Sequence, residues 1–248
     1  MSEQTGAEQA QSFDAVKNII DKIEGWIGKR EARYLYRLAR ENAKKGVIVE
    51  IGSWKGKTTT LLAKASQDVG GNEVYAIDPH QGGPDQEKIG YGNINTEAEF
   101  RKNIHEAGVA DLVIPMVMAS EEATQGWKKP IGLLWIDGDH SYEAVKKDFL
   151  LWVRHLSATG VVALHDTYSW EGPRRVVEEM LLPSDELYFL GQVDGIAAAK
   201  KVSFVPALNR FKKRITRLLR SAWMFAKRHR LPARTLPKSI MRALSSTK

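Results

Sequence analysis

The chain has 248 residues, 43% of them hydrophobic, a formal charge of +7 and no cysteine. That length supports one large α/β domain with an appendage, or two small domains, and the missing cysteine excludes disulfides, thiolate metal sites and a thiol nucleophile. Charge is unevenly spread: from Lys200 onward there are 15 Lys and Arg and no Asp or Glu, whereas residues 1–199 carry 22 basic against 30 acidic groups, a net −8.

Met1 to Gln11 is polar and acidic, unlike a signal or transit peptide, and no apolar run approaches the ~18 residues of a spanning helix. A cytoplasmic location is the expectation. Phe13 to Lys45 carries Val16, Ile19, Ile20 and Ile23, then Tyr34, Leu35, Leu38 and Ala39 at helical intervals, with a break near Gly25 and Gly28. Two helices are predicted, packing on the face or edge of a sheet or forming a lid.

Val47 to Gly56 is the stretch around which the chain is organised. Four β-branched residues predict a buried parallel strand that ends near Glu50, with Gly52 and Gly56 bracketing a turn into a helix over Lys57–Ala65. Glycine lets a ligand approach the backbone, and the helix start offers unpaired N–H groups. The spacing Glu50-x-Gly52-x-x-x-Gly56 lacks the middle glycine of a dinucleotide fingerprint. It is similar to the first motif of class I S-adenosylmethionine-dependent methyltransferases. In that family the turn passes under the amino acid and ribose of the cofactor, which implies Glu50, Gly52, Ser53 and Gly56 as cofactor contacts.

A second strand is predicted over Glu73–Ile77. Asp78 at its end supplies two acceptor oxygens, suited to the paired hydroxyls of a ribose. Gln81 to Asn95, rich in glycine and polar residues, reads as a long loop at the ligand face. Thr96 to Ala107 reads as a helix with Thr96 as cap and Glu99 as its reciprocal partner. Leu112 to Met118 is the third strand, and the resemblance places an adenine near its end, with Ser120 to bond it.

Leu133 to Ile136 is a fully apolar fourth strand running into Asp137-Gly138-Asp139-His140-Ser141-Tyr142-Glu143. Open parallel sheets carry their ligands at this carboxyl end. A helix over Tyr142–Leu156 and a fifth strand over Gly160–Leu164 lead to His165-Asp166-Thr167-Tyr168. A helix over Gly172–Leu181 comes next, then strands Leu187–Leu190 and Ile196–Lys200, whose short connection requires antiparallel pairing. With Glu50-Ile51-Gly52, these motifs resemble the small-molecule and sugar O-methyltransferase branch of class I methyltransferases, the macrocin O-methyltransferase type included. The resemblance runs from roughly Gly25 to Lys201.

Methyl transfer to a hydroxyl requires alignment of donor and acceptor and removal of a proton. In related O-methyltransferases the positions matching Asp137, His165 and Asp166 bind a divalent cation, commonly magnesium, with Asp137 also near the cofactor. Here His165 stands where an acid is usual, which either favours a softer ion than Mg2+ or frees His165 as the base. His140 is the other candidate base. Trp54, Tyr142, Tyr168 and Trp170 are candidates to wall a pocket.

In the tail, Phe211, Ile215, Leu218, Leu219, Ala222 and Phe225 or Ala226 fall on one helical stripe, with Trp223 at its margin and Lys213, Arg217 and Arg220 opposite. A helix over about 206–229 would be about 36 Å long. Its pattern resembles an in-plane anchor on an anionic membrane, on the inner face of a cell. Nucleic acid is the competing partner, less favoured because Ile136-Asp137-Gly138-Asp139 lacks the Pro-Pro-aromatic run usual in methyltransferases acting on bases; a helix docked on the acidic body is the third reading.

The expected architecture is a doubly wound, Rossmann-like α/β fold with a seven-stranded sheet, its last strand antiparallel, plus a basic amphipathic C-terminal helix. Residues 1–45 are expected to be covering helices, 46–204 the catalytic domain and 205–248 the tail. The expected activity is S-adenosylmethionine-dependent O-methylation of a small molecule, sugar or glycolipid, with Mg2+ or another divalent cation. The alternatives are a nicotinamide-dependent oxidoreductase, disfavoured by the missing glycine and the lack of a Tyr-x-x-x-Lys pair, and a non-catalytic membrane or RNA adaptor.

Overall fold

The computed structural model describes residues 13–83, 90–91 and 94–228, with side chains through Ser221. Most of the Gln81–Asn95 loop, His229 and the side chain of Trp223 therefore lie outside the described residues. Residues 13–20 are helical, and α1 follows over Lys29–Asn42. The chain then alternates through β1 (Val47–Ile51), α2 (Lys57–Gln67), β2 (Val74–Ile77), α3 (Glu97–Glu106), β3 (Val113–Met116), α4 (Ser120–Ala123), β4 (Ile131–Ile136), α5 (Tyr142–Val153) and β5 (Leu156–Leu164). Next come α6 (Glu171–Val176), continued by a π turn over Val177–Leu181, then β6 (Leu187–Val193), β7 (Ile196–Lys201) and α7 (Ala207–Arg228).

The seven strands lie in the order β3-β2-β1-β4-β5-β7-β6. The first five are parallel, and β7 pairs antiparallel with both β5 and β6. The order of connection reverses between the parallel neighbours β1 and β4, so the carboxyl ends of these strands open onto a crevice where such sheets hold ligands.

Strand alternation divides the core into two layers. Ile48, Leu133, Trp135 and Ala163 pack with residues 13–20, α1, α2 and α3; Val49, Leu134, Ile136, Val162 and Leu164 pack with α5 and α6. Trp135 and Trp152 are wholly buried. Central strands covered on both faces read as continuous apolar runs, hence their legibility.

Some local expectations require correction. Thr96 is not a side-chain cap: its φ of −95° and ψ of −4° are helical, and its hydroxyl meets His80 Nδ1 at 2.9 Å. Glu99 instead pairs with Lys55 at 2.8 Å. Leu112 closes a 3-10 turn, and β3 ends at Met116 rather than Met118. Pro115 lacks a backbone donor, which suits the edge position of this strand. Leu156 opens β5 rather than closing α5.

Candidate active site at the carboxyl end of the sheet

Between β1 and α2 the chain makes its turn with Gly52 and Gly56 both at φ +86°. A Cβ on Gly52 would sit 2.3 Å from the Asp137 carbonyl oxygen, so no other residue fits where β1 and β4 come together. Trp54 and His80 also adopt left-handed φ, at +48° and +57°, as do Asp166 at +53° and Asp194 at +46°. All four stand at the same end of the sheet. Non-glycine residues held this way cost free energy and concentrate at functional sites.

Asp78 organises the corner. Its carboxylate accepts from the Trp54 N–H at 2.8 Å and from the His80 N–H at 2.7 Å, tying the end of β2 to the glycine turn. Burial holds the His80 ring below its usual pKa, in the pocket it shares with Thr96 and Phe100. Trp26 and Tyr91 lean on Trp54 with ring centres 5.5 and 5.4 Å away, closing one side of the corner with aromatic surface.

Across the crevice, the turns after β4 and β5 bring Asp137, His140, His165 and Asp166 together. His165, 5% exposed, places Nδ1 2.9 Å from Asp137 and 3.6 Å from Asp166, and Nε2 3.6 Å from Glu31 of α1. Burial alone would lower its pKa, but the three carboxylates outweigh that and hold it well above the usual histidine value. Burial raises Asp137, against the pull of His165. For Asp166 burial is outweighed by bonds and charge from His140 and His165, so it is held low. His140 approaches Asp166 at 3.2 Å and stacks on Trp170 at 4.7 Å with an interplanar angle of 9°.

Donor atoms of Asp137, His140 and Asp166 all lie within 4.8 Å of one another, close enough for one cation. His165 is not in that group. Of the expected ligand set of Asp137, His165 and Asp166, that group contains the two aspartates. Both ring nitrogens of His165 face carboxylates, Nδ1 toward Asp137 and Nε2 toward Glu31, so service as ligand or base would require giving up one of those contacts.

Residues 49–167 match the model of a family described as a methyltransferase domain. Among solved structures, the O-methyltransferase NovP is similar at 19% identity and a TM-score of 0.61, covering 71% of this chain and 81% of its own. The O-methyltransferase TomG from Streptomyces achromogenes, involved in tomaymycin synthesis and solved with S-adenosylmethionine, shows 17% identity, 79% and 89% coverage and a TM-score of 0.55. An O-methyltransferase from Bacillus cereus in complex with S-adenosylhomocysteine gives 18%, 77%, 91% and 0.52.

The structure treats the expected cofactor residues unequally. Gly52, Ser53, Gly56 and Asp78 line the corner. Ser53 is 1% exposed and its hydroxyl has no hydrogen-bond partner among the described residues, so it is a buried polar atom that a ligand could satisfy. Glu50 is different: both its oxygens accept from the hydroxyls of Thr58 and Thr59 on α2, and burial lifts its pKa to about 8. It braces the turn from beneath. Ser120 opens α4, and its hydroxyl donates to Asp148 of α5, whose pKa burial raises to about 6. Any bond from Ser120 to a ligand must compete with that carboxylate.

Sequence reasoning missed Glu31, although it accepts from the Gly28 N–H and the Gly195 N–H, both at 2.8 Å, and faces His165. The bond to Gly28 is a local helix-start contact, but Gly195 and His165 come from distant parts of the chain and leave no local pattern. Thr58 and Thr59 were more accessible: two hydroxyls at the start of the helix that follows an acid-ended strand. Of the candidate wall aromatics, Trp54 and Trp170 face the two halves of the crevice. Tyr142 is occupied by Glu179 at 2.6 Å and by the Arg175 guanidinium 3.7 Å from its ring centre. Tyr168 lies beside Arg220.

Proposed function

We propose that this chain is an S-adenosylmethionine-dependent O-methyltransferase, acting on a hydroxyl of a small molecule, sugar or glycolipid. The observation that carries the reading is the facing of two halves of one crevice: a glycine corner with the orphaned Ser53 hydroxyl, and an Asp137/His140/Asp166 cluster. Residues 46–204 form the catalytic unit in this reading, with 1–45 as cover. The cofactor supplies a methyl group on a positively charged sulfur.

Gly52 and Gly56 leave room for its amino acid and ribose portions, Ser53 offers a hydroxyl, and Asp78 keeps acceptor capacity for ribose hydroxyls after taking two backbone N–H groups. Asp137, His140 and Asp166 would hold a divalent cation, which lowers the pKa of a bound hydroxyl. Two oxygens and one imidazole nitrogen suit manganese, iron or zinc better than magnesium. His140 takes one role or the other: with its lone pair on a cation it is a ligand only, and without a cation it is the residue placed to receive the acceptor proton, with Asp166 orienting its ring and Trp170 fixing its plane. His165 keeps Asp137 in place through Nδ1, with Glu31 facing its other ring nitrogen.

Calorimetry of the full chain should detect S-adenosylmethionine and no NAD; NAD binding alone would refute the assignment. Manganese should bind the wild type, and Asp137→Asn should weaken it at least about tenfold. If no cation binds, His140 acts as a base without one. We further propose a cytoplasmic location with contact to an anionic membrane through residues 206–229. No helix among the described residues is long and apolar enough to cross a membrane.

A further inference from the structure

Helix α7 reverses the ordinary arrangement of an amphipathic helix. Among its described side chains, the buried ones are polar or charged: Asn209, Lys213, Thr216 and Arg220, the last 1% exposed. The Asn209 amide donates to the Phe189 carbonyl and accepts from the Phe189 N–H, both at 3.0 Å. Lys212 donates to the Leu190 carbonyl at 3.1 Å and Lys213 to that of Ser184. Arg220 donates to the Thr167 carbonyl at 2.7 Å and to Gln192 Oε1, with Glu178 at 3.4 Å. Many-pointed polar attachment of this kind fixes a helix rather than tethering it.

Most of the apolar side chains described on this helix face outward instead, Leu219 being partly buried. Leu208 is 80% exposed, Phe211 62%, Leu218 66% and Ile215 39%, and Phe204 just ahead of the helix is 65% exposed. Steps of three and four residues put Leu208, Phe211, Ile215 and Leu218 on one stripe. Large contiguous apolar surface facing water marks an interaction site. Arg210, Arg214 and Arg217, all exposed, run along the flank of that stripe, and residues 200–248 contain no acidic group. A second copy laid stripe to stripe would set arginine against arginine, whereas an anionic bilayer matches both the apolar row and its basic flank.

We propose that α7 is a rigid docking plate for an anionic lipid surface, entering the headgroup region with Leu208, Phe211, Ile215 and Leu218 while its charged face stays fixed to the catalytic body. This rests on the membrane contact proposed for residues 206–229 and assigns the face that makes it. Because Arg220 grips the residue after Asp166, docking holds the catalytic body in one orientation at the membrane.

The test is co-sedimentation of the full chain with phosphatidylcholine vesicles, with and without phosphatidylglycerol, comparing wild type with the Phe211→Ser/Leu218→Ser double variant. Both side chains are exposed, so folding should survive, and S-adenosylmethionine calorimetry on the same samples reports it. The wild type should bind anionic vesicles, and the variant at least about tenfold more weakly. Wild type that ignores anionic vesicles overturns the membrane contact. Equal binding by the variant overturns the apolar face and leaves attraction by charge alone. A concentration-dependent dimer that the double variant abolishes would give the stripe to a second copy and overturn the proposal too. Cofactor binding is read separately, so vesicle binding without it refutes only the catalytic reading.

Discussion

Asp78→Asn separates the structural from the ligand-binding work of one carboxylate. In the wild type one oxygen takes the Trp54 N–H and the other the His80 N–H, at 2.8 and 2.7 Å. Asparagine keeps one oxygen, and its amide nitrogen then faces the second N–H donor to donor. Loss of one charge-assisted bond costs about 1.5–3 kcal/mol. For a chain of this size that corresponds to a fall of roughly 3–12 °C in Tm. Loss of a ribose hydroxyl acceptor should weaken S-adenosylmethionine by a similar free energy, roughly 10- to 150-fold. Differential scanning fluorimetry without ligand gives the first quantity, and calorimetry well below the lowered Tm gives the second. A variant as stable as wild type would refute the two-bond account of the corner. A destabilised variant with unchanged cofactor affinity would remove Asp78 from the ligand site.

His165→Met should cost about 3–5 kcal/mol, the usual penalty for stripping the partner from buried charges, measured by urea denaturation. Since the folded pKa of His165 is raised, its stabilisation is complete below the unfolded value of about 6.5 and is lost as pH rises through the folded one; the variant should lack that component of the pH dependence. Glu50→Gln should be tolerated, because an amide can still meet both Thr58 and Thr59. Glu50 has a folded pKa raised from 4.5 to about 8, so wild-type stability should fall as pH climbs between those values, and Glu50→Gln should flatten the slope in thermal melts across that range. Gly52→Ala forces a Cβ to within 2.3 Å of the Asp137 oxygen at φ +86°. It should destabilise by roughly 2 kcal/mol or more in urea, and near-normal stability would show that β1 and β4 can separate there.

The sheet was legible because its strands are short apolar runs, several ending in an acid or glycine, and Glu50, Asp78 and Asp137 mark three of those ends. The antiparallel finish came from the short link between β6 and β7. The site was legible as a place and less so as a set of roles. His165 and His140 look alike in sequence, but Glu31, contributed by α1, occupies the far side of His165, so that both of its ring nitrogens face carboxylates. Helix α7 shows a different limit. Periodicity identifies an apolar stripe and a charged face, but not which is covered. Here carbonyls of Ser184, Phe189, Leu190 and Thr167 capture the charged face, and the apolar stripe is left outside.

The amide of Asn209 has a consequence for how the chain behaves at high concentration. β6 is the last strand of its sheet, and an unpaired strand edge invites the edge of another molecule. By taking both the N–H and the carbonyl of Phe189, Asn209 imitates the backbone of a neighbouring strand and fills that vacancy from within the chain. A shortened chain ending at residue 205, attractive as a way to shed the basic tail, would expose this edge along with the groups that Arg220 satisfies. Such a protein is expected to polymerise edge to edge, and its insolubility would come from the loss of a polar side chain rather than from any gain of greasy surface.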